Sequence, residues 1–319
     1  MALWWSPMAF KTVKDVKSLL LKKERISCVH EIQLLDPKDP TRPQKIPRMM
    51  GLDDQGHLEI ASTVDLVREM DYFKKSFFKT DSGNPSGWNL RYLYDRDQIL
   101  QKLYGSPQRL FDSVRFLYQE CGPKDLLKVR QRLLDSYMSE FGEPPLIQGQ
   151  SRTFMKRGEL GAEMAFDEVE IIGPQVLDPS AVKGISCVYW VHLMDPEDPS
   201  RTLPLQRFER TDPLGVLVAG KTRDLQSKIW YIRSSMVHHE HKHRGEWGLF
   251  GHIHGLCGPL EELCGPLEEF RYKLGISYAP MVPGALGRGE VWALNRSIRE
   301  YGEMPPYNSQ IPGDTRYKR

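Results

Sequence analysis

Histidine side chains concentrate in one short segment of the chain. Six of the nine histidines lie between residues 238 and 254. His239 and His243 stand four positions apart, as on one face of a helix, while His252 and His254 alternate as on one face of a strand. Either spacing suits imidazole ligands of zinc or copper. The segment is also polar, so a solvated or partner-contacting loop is the simpler interpretation, and a metal-binding protein or metalloenzyme is the alternative.

A literal phosphate-loop pattern runs from Gly215 to Thr222, which read Gly-Val-Leu-Val-Ala-Gly-Lys-Thr. A phosphate loop needs its intervening residues to curl around the phosphates with their backbone N–H groups. Val, Leu, Val and Ala favour an extended strand instead. The pattern therefore predicts a turn, a strand and the start of a helix, and we assign no nucleotide or other cofactor to it.

Cysteines occur in a Cys-Gly-Pro motif at Cys121, Cys257 and Cys264. Pro at the first helical position, with carboxylates in the first turn, favours helix initiation. A reactive thiol at a helix N-terminus is the alternative. The five cysteines form no Cys-x-x-Cys pair, which indicates a reducing compartment and buried thiols rather than a secreted disulfide framework.

The chain contains two diverged copies of one sequence unit. At a fixed offset of 159 positions, about 21 of the 65 residues from 26 to 90 are identical to those from 185 to 249. Arg48 then matches Arg207. One further inserted residue brings Glu140-Phe141-Gly142-Glu143 onto Glu300-Tyr301-Gly302-Glu303. We therefore predict an internal duplication that gives two lobes.

The predicted fold class is α+β. The domain boundaries that we predict are an N-terminal segment 1–25, repeat unit one 26–157, a linker 158–184 and repeat unit two 185–319. Each unit is expected to hold a short antiparallel β-meander followed by several helices. The strands are predicted near 26–35, 44–51 and 57–61 in the first copy, and near 185–194, 203–210 and 216–219 in the second.

Local signals place the helices that follow these strands. Thr63 and Thr222 are predicted to cap helices that run to about 78 and 237. An apolar stripe from Leu126 to Phe141 has helical spacing, and Gly142 is expected to end that helix. The remainder of the first copy is predicted to be helical.

The residues that recur in both copies are turn formers and aromatic anchors rather than catalytic groups. Asp36 and Arg42 match Asp195 and Arg201 in an Asp-Pro-x-Asp-Pro-x-Arg turn, whose Arg we expect to pair with a carboxylate. Trp88 matches Trp247, and both are predicted core or interface anchors. No nucleophile, base and orienting acid recur together. This pattern favours a scaffold over an enzyme.

The N-terminal segment is rich in lysine and carries Trp4 and Trp5. A docked helix is the simpler interpretation, and a retained targeting or membrane-surface segment, with both tryptophans at an interface, is the alternative. Charges interrupt every apolar run, so no secretory signal and no transmembrane helix are predicted. The mitochondrion is the predicted location, with the cytoplasm as the alternative.

The net charge is only +2, which makes nucleic acid an unlikely partner class, although a nucleic-acid-binding module stays open as a second alternative. The leading hypothesis is a non-catalytic accessory subunit of a large multi-protein assembly, such as a mitochondrial respiratory or ATP-synthase complex. Its partners would be the other protein subunits and, through the N-terminal segment, a membrane surface.

Overall fold

A computed structural model describes ten stretches of the chain: residues 11–12, 25–79, 85–96, 98–148, 170–176, 178–208, 210–237, 250–251, 253–254 and 257–308. They contain helices and antiparallel sheets, which confirms the predicted α+β class. The chain divides into two compact units. Unit 1 is Met1–Ile46, Leu52–Tyr137 and Pro145–Gln148, and unit 2 is Pro47–Gly51, Met138–Pro144 and Gly149–Arg319.

Unit 1 is built on a four-stranded antiparallel sheet in the order β1-β6-β2-β5. Its strands are β1 (Lys11–Thr12), β2 (Cys28–Leu34), β5 (His57–Thr63) and β6 (Val114–Glu120). A separate two-stranded sheet joins β3 (Ile46–Arg48) to β4 (Gly51–Asp53). Every residue of β2 is buried, and β5 and β6 flank it on both sides in the sheet.

Five helices follow β5: α1 (Leu66–Lys79), α2 (Pro85–Arg96), α3 (Gln98–Tyr104), α4 (Pro107–Asp112) and α5 (Leu126–Phe141). Phe73 of α1 packs edge to face on Phe116 of β6, with ring centroids 5.3 Å apart. The stripe on α5 produces the predicted helix, which ends at Gly142 with φ of +69°.

Unit 2 is built on a second four-stranded antiparallel sheet, in the order β7-β10-β8-β9. Its strands are β7 (Ile172–Gln175), β8 (Cys187–His192), β9 (Val216–Thr222) and β10 (Gly275–Pro280). The helices are α6 (Leu225–Val237), α7 (Gly258–Cys264), α8 (Leu267–Phe270) and α9 (Leu286–Tyr301). Short 3-10 turns occupy Pro179–Val182, Pro283–Ala285 and Pro306–Asn308. None of the helices described in either unit is long and apolar enough to cross a membrane.

The central strand pairs of the two units share their register. Cys28 pairs with Thr63 and Cys187 with Thr222, both at the offset of 159 positions. Each pair then shifts register at the corresponding place, between Ile32 and Gln33 in β2 and between Val191 and His192 in β8. The internal duplication itself stays a prediction.

The turns before β5 and β9 are held by the same kind of contact. The Asp53 carboxylate accepts the backbone N–H groups of Gln55 and His57, at 2.9 and 2.8 Å. Asp212 accepts those of Leu214 and Val216, both at 2.9 Å. A buried aspartate thus fixes the chain's entry into each of these strands.

The predicted β-meander is wrong in its connectivity. β2 and β8 each take their second long partner from late in the unit, β6 and β10, and the β6 region was predicted to be helical. The second strand of the first copy splits into β3 and β4. In the second copy, residues 203–208 form only an isolated bridge, Leu205 to Asp212, and Pro204 there lacks the N–H that a ladder needs.

One local prediction also needs correction, and the predicted domain boundaries stay predictions. Thr63 is not the cap of α1, because the helix starts at Leu66 and the Asp65 carboxylate accepts the N–H of Arg68 at 3.1 Å. The predicted linker 158–184 includes β7, which pairs with β10 at the edge of the second sheet. Most of the N-terminal segment 1–25 lies outside the described residues. Arg25 and β1 are described, and β1 pairs with β6.

Candidate functional site

Four charged side chains meet in the interior of unit 2. They are Arg48, Glu143, Arg207 and Glu303, and each is at most 2% exposed. We call them the charge cluster. Burying a charge is costly unless an opposite charge and hydrogen bonds compensate it, so each member of the cluster needs such partners.

Local structure explains how each member reaches the cluster. Arg48 ends strand β3, and Arg207 holds the matched position of the second copy. Glu143 and Glu303 each follow a helix-ending glycine in the left-handed conformation, Gly142 with φ of +69° and Gly302 with φ of +74°. The left-handed residue reverses the chain, so that the next side chain turns back toward the protein interior.

The four charges form a closed ring of ion pairs. The Arg48 guanidinium lies 2.9 Å from Glu303 Oε2 and 3.1 Å from Glu143 Oε2. The Arg207 guanidinium lies 3.2 Å from Glu303 Oε1 and 3.6 Å from Glu143 Oε2. Each arginine therefore contacts both glutamates, and with both carboxylates ionised the ring is electrically neutral.

Backbone groups add hydrogen bonds to the ring. Glu143 Oε1 accepts the N–H of Met49 at 2.7 Å, and Glu303 Oε1 accepts the N–H of Phe208 at 3.1 Å. Arg48 donates to the carbonyl of Pro144 at 2.6 Å, and Arg207 donates to the carbonyl of Met304. Each carboxylate thus binds the backbone next to an arginine, and each arginine binds the backbone next to a glutamate.

The pKa of Glu143 is raised above its ordinary value, and burial is the largest cause. The Arg48 and Arg207 guanidinium groups oppose the rise, and the Glu303 carboxylate adds to it. Because all four charges are enclosed, no substrate reaches them without opening the fold. The arrangement can clamp four separate chain segments together. It does not present an acid, a base or a nucleophile to solvent.

A second buried polar group lies in unit 1. His57 Nδ1 lies 3.1 Å from Asp53 Oδ1, and His57 Nε2 lies 3.5 Å from Glu31 Oε2. The Tyr137 hydroxyl donates to Asp53 Oδ2 at 3.1 Å. Burial acts to lower the pKa of His57, but hydrogen bonds and charge interactions with Asp53 and Glu31 raise it to about 9.

The Asp53–His57 pair resembles the orienter and base of a hydrolase only superficially. A general base must be unprotonated at working pH, whereas His57 with a pKa of about 9 is an imidazolium at neutral pH. The second ring nitrogen faces Glu31 instead of a nucleophile, and the ring is only 3% exposed. The group is therefore a structural ion pair that packs edge to face on Tyr137.

The predicted turn residues lie in two turns, at 36–42 and 195–201. Asp36 Oδ1 accepts the N–H of Lys38 at 2.8 Å, and Asp195 Oδ1 accepts that of Glu197 at 2.9 Å. Arg42 pairs with Asp39 and Arg201 with Asp198, each at 3.1 Å, within the same turn. These arginines are about four-fifths exposed, so their pairs contribute little to stability. Their role as interface residues stays a prediction.

Most of the histidine segment lies outside the described residues, including His239, His243 and His252. His254 is buried, and its Nε2 hydrogen-bonds to the carbonyl of Gly265 at 2.9 Å, an ordinary structural role. Within the described stretches, no three His, Cys, Asp or Glu side chains come together as a metal site would require.

The side chains of the four predicted tryptophan anchors lie outside what the structure describes. Trp4, Trp5 and Trp247 lie outside the described residues, and Trp88 lies on α2 without a described side chain. Their roles therefore stay predictions.

The phosphate-loop pattern forms a strand, as predicted, and the strand extends further than expected, from Val216 to Thr222. Lys221 lies 2.9 Å from Glu290 of α9, so its ammonium group already has a carboxylate partner. In the described residues the Gly-Lys-Thr segment is extended and offers no nest of backbone N–H groups.

The Cys-Gly-Pro motif begins a helix at Cys257, because α7 starts at Gly258 with Pro in its first turn. The five thiols are free, and four of them are buried. Burial raises the pKa of Cys264 to about 12 and also raises that of Cys257. Neither thiol is therefore poised as a nucleophile at neutral pH.

Sequence reasoning did not assign the charge cluster. Arg48 and Arg207 recur at an offset of 159 positions, and Glu143 and Glu303 recur at 160. The available signal was the recurrence of two opposite charges in separate motifs of both copies. That recurrence marks the four residues as a matched set, but it does not show that they meet in the folded protein.

The chain matches no protein family model, no curated protein and no solved structure in the three comparisons made.

Proposed function

We propose that this chain is a non-catalytic structural subunit of a larger protein assembly. The observation that carries the proposal is the charge cluster. Its acids and bases are the groups with the chemistry that enzymes use, and they neutralise one another in the interior of unit 2. Recurring charged residues that hold chain segments together fit a scaffold role.

The proposal includes an internal duplication as the origin of the scaffold. The matched strand registers, the matched aspartate turns and the matched origin of the four cluster residues support it. Two charge-bearing motifs, duplicated, would supply all four members of the ring. The proposed partners are the other protein subunits, and the Lys-rich N-terminal segment favours a mitochondrial assembly.

Purification under mild conditions from the native source, followed by size analysis and identification of co-purifying chains, tests the proposal. We expect the protein to elute well above its own mass, together with a reproducible set of partners. Elution as a clean monomer would overturn the proposed function. Fractionation of the same cells tests the location separately.

Metal analysis of the purified full chain tests the main alternative. The scaffold proposal expects substoichiometric zinc and copper. Stoichiometric metal that is lost in His252→Ala and His254→Ala, but retained in a matched His30→Ala variant elsewhere in the chain, would favour the metal-binding alternative instead.

A further inference from the structure

Helix α6 of unit 2 buries one side and exposes large aromatic rings on the other. Its buried residues are Leu225, Ile229, Ile232, Ser235 and Met236. Trp230 is 55% exposed and Tyr231 is 36% exposed, and Tyr272, which follows α8, is 46% exposed. Exposed aromatic residues grouped on one surface mark an interaction site more often than isolated ones do.

Basic side chains lie over two of these rings. The guanidinium groups of Arg233 and Arg271 lie 5.2 and 4.7 Å from the centre of the Tyr272 ring. The Lys228 ammonium lies 4.8 Å from the centre of the Tyr231 ring. Trp230 and Arg233 stand three positions apart on α6 and are therefore neighbours on its surface.

We propose that this surface docks an acidic segment of a protein partner. We call it the aromatic–basic surface, and it consists of Lys228, Trp230, Tyr231, Arg233, Arg271 and Tyr272. The proposal rests on the proposed function, since it names the surface through which the subunit would join its assembly. Trp, Tyr and Arg are the residue types that dominate binding energy at protein interfaces.

Charge complementarity specifies the partner's chemistry. Arginine forks bind carboxylates with paired N–H groups, and stacking on a tyrosine ring orients the fork in advance. Asp178 interacts with Arg233. Its carboxylate also accepts the N–H and the hydroxyl of Ser180, at 2.9 and 2.7 Å. Carboxylates from a partner would add to the interactions that these cations already make, with an apolar side chain placed on Trp230.

The same geometry disfavours single-stranded nucleic acid. Binding of that class depends on bases stacking on open aromatic faces. Guanidinium groups already lie over Tyr272, and an ammonium group lies over Tyr231, so a base would have to displace them. An acidic peptide engages the same cations without displacing them.

Site-specific photo-crosslinking in the native cells tests the proposal. Trp230→p-benzoylphenylalanine in the full chain is expected to crosslink to one protein, within a segment that holds more Asp and Glu than Lys and Arg. Asp71→p-benzoylphenylalanine is the matched control, because Asp71 holds the corresponding position on α1 at the offset of 159. A yield at position 230 no higher than at position 71, or adducts to nucleic acid, to a basic segment or to a second copy of this chain, would overturn the proposal.

Substitutions supply the second measurement. Trp230→Ala, and separately the pair Arg233→Gln and Arg271→Gln, are expected to lower the ratio of assembled to free chain at least about tenfold, since interface hot spots have effects of this size. Unchanged melting temperature of the free variants verifies folding. If the wild-type chain assembles and these variants assemble equally well, the docking surface is wrong while the proposed function stands. If the wild-type chain is a monomer, the proposed function itself fails.

Discussion

The guanidinium group of Arg48 donates a hydrogen bond to the carboxylate of Glu303 at 2.9 Å, although 255 positions separate the two residues. Both side chains are about 2% exposed. A contact of this sequence separation forms only when the chain has closed a very long loop, so it is a property of the folded state. Replacing either residue leaves the other buried charge with one opposite charge fewer. The replacement therefore destabilises the folded state.

Arg48→Met is expected to lower the free energy of unfolding by about 3–5 kcal/mol, because it leaves two buried carboxylates with one guanidinium between them. Denaturant unfolding measures the change. Arg42→Met is the matched control: Arg42 also pairs with a carboxylate, but its side chain is 79% exposed, and the expected cost is below about 1 kcal/mol. Equal costs for the two variants would show that the charge cluster is not a stabilising clamp.

The double variant Arg48→Met with Glu303→Gln is expected to cost less than the sum of its single variants, by about 1–3 kcal/mol. Arg207 and Glu143 then remain as a neutral pair, at 3.6 Å. A double-mutant cycle from denaturant unfolding gives this coupling energy. Additive costs would mean that the four charges act independently, contrary to the closed ring described above.

The stability of the protein is expected to fall between about pH 6.5 and pH 9 because of His57. Its pKa is raised from 6.5 to about 9, so the folded state holds a proton in this window that the unfolded state releases. The stabilising effect is complete below pH 6.5 and is lost as the pH rises through 9, up to about 3 kcal/mol in all. Unfolding curves at several pH values measure it.

His57→Gln is the control for this pH dependence. Glutamine keeps polar contacts with Asp53 and Glu31 but does not titrate, so the fall between pH 6.5 and pH 9 should be smaller by the contribution of His57. If wild type and variant lose stability equally across this window, the imidazolium assignment is incorrect.

Local signals were sufficient for the α+β class and for several elements. The run from Cys28 to Leu34 is rich in β-formers and stops before Asp36-Pro37, and the stripe of α5 has regular helical spacing. Strand β6 was missed, although Phe116 and Tyr118 alternate with outward-facing residues. Its partner β2 lies far away in sequence, with Cys28 opposite Glu120, and short-range patterns do not report such a pairing.

The contacts within the charge cluster could not be predicted from the sequence, for a related reason. The sequence gives each arginine and each glutamate a matched counterpart, but it gives no sign that Arg48 approaches Glu303 more closely than Glu143. That choice depends on tertiary packing. The His57 group is equally nonlocal, because Glu31 lies on a neighbouring strand and Tyr137 on α5.

Gly142→Ala is expected to destabilise the protein by about 1–2 kcal/mol. Residue 142 has φ of +69°, and alanine, which carries a Cβ, is strained in this left-handed backbone conformation. The new Cβ would also lie 2.6 Å from Met50 Cγ, so that side chain must move. Gly258→Ala is the matched control, since its Cβ would meet no atom within 4 Å. Thermal unfolding compares the two. A harmless Gly142→Ala would contradict the role of this glycine in directing Glu143 into the cluster.

The phosphate-loop pattern is expected to bind no nucleotide. The segment is a strand, and Lys221 is engaged by Glu290 at 2.9 Å, whereas a binding loop would wrap its N–H groups around the phosphates. Ligand binding to the native state raises the melting temperature by mass action, so millimolar Mg²⁺ and ATP should leave that of the wild type unchanged. Lys221→Ala should cost less than about 1 kcal/mol, because the Lys221 side chain is 40% exposed. A nucleotide-dependent rise in the wild type that disappears in Lys221→Ala would show that the pattern functions as a phosphate site after all.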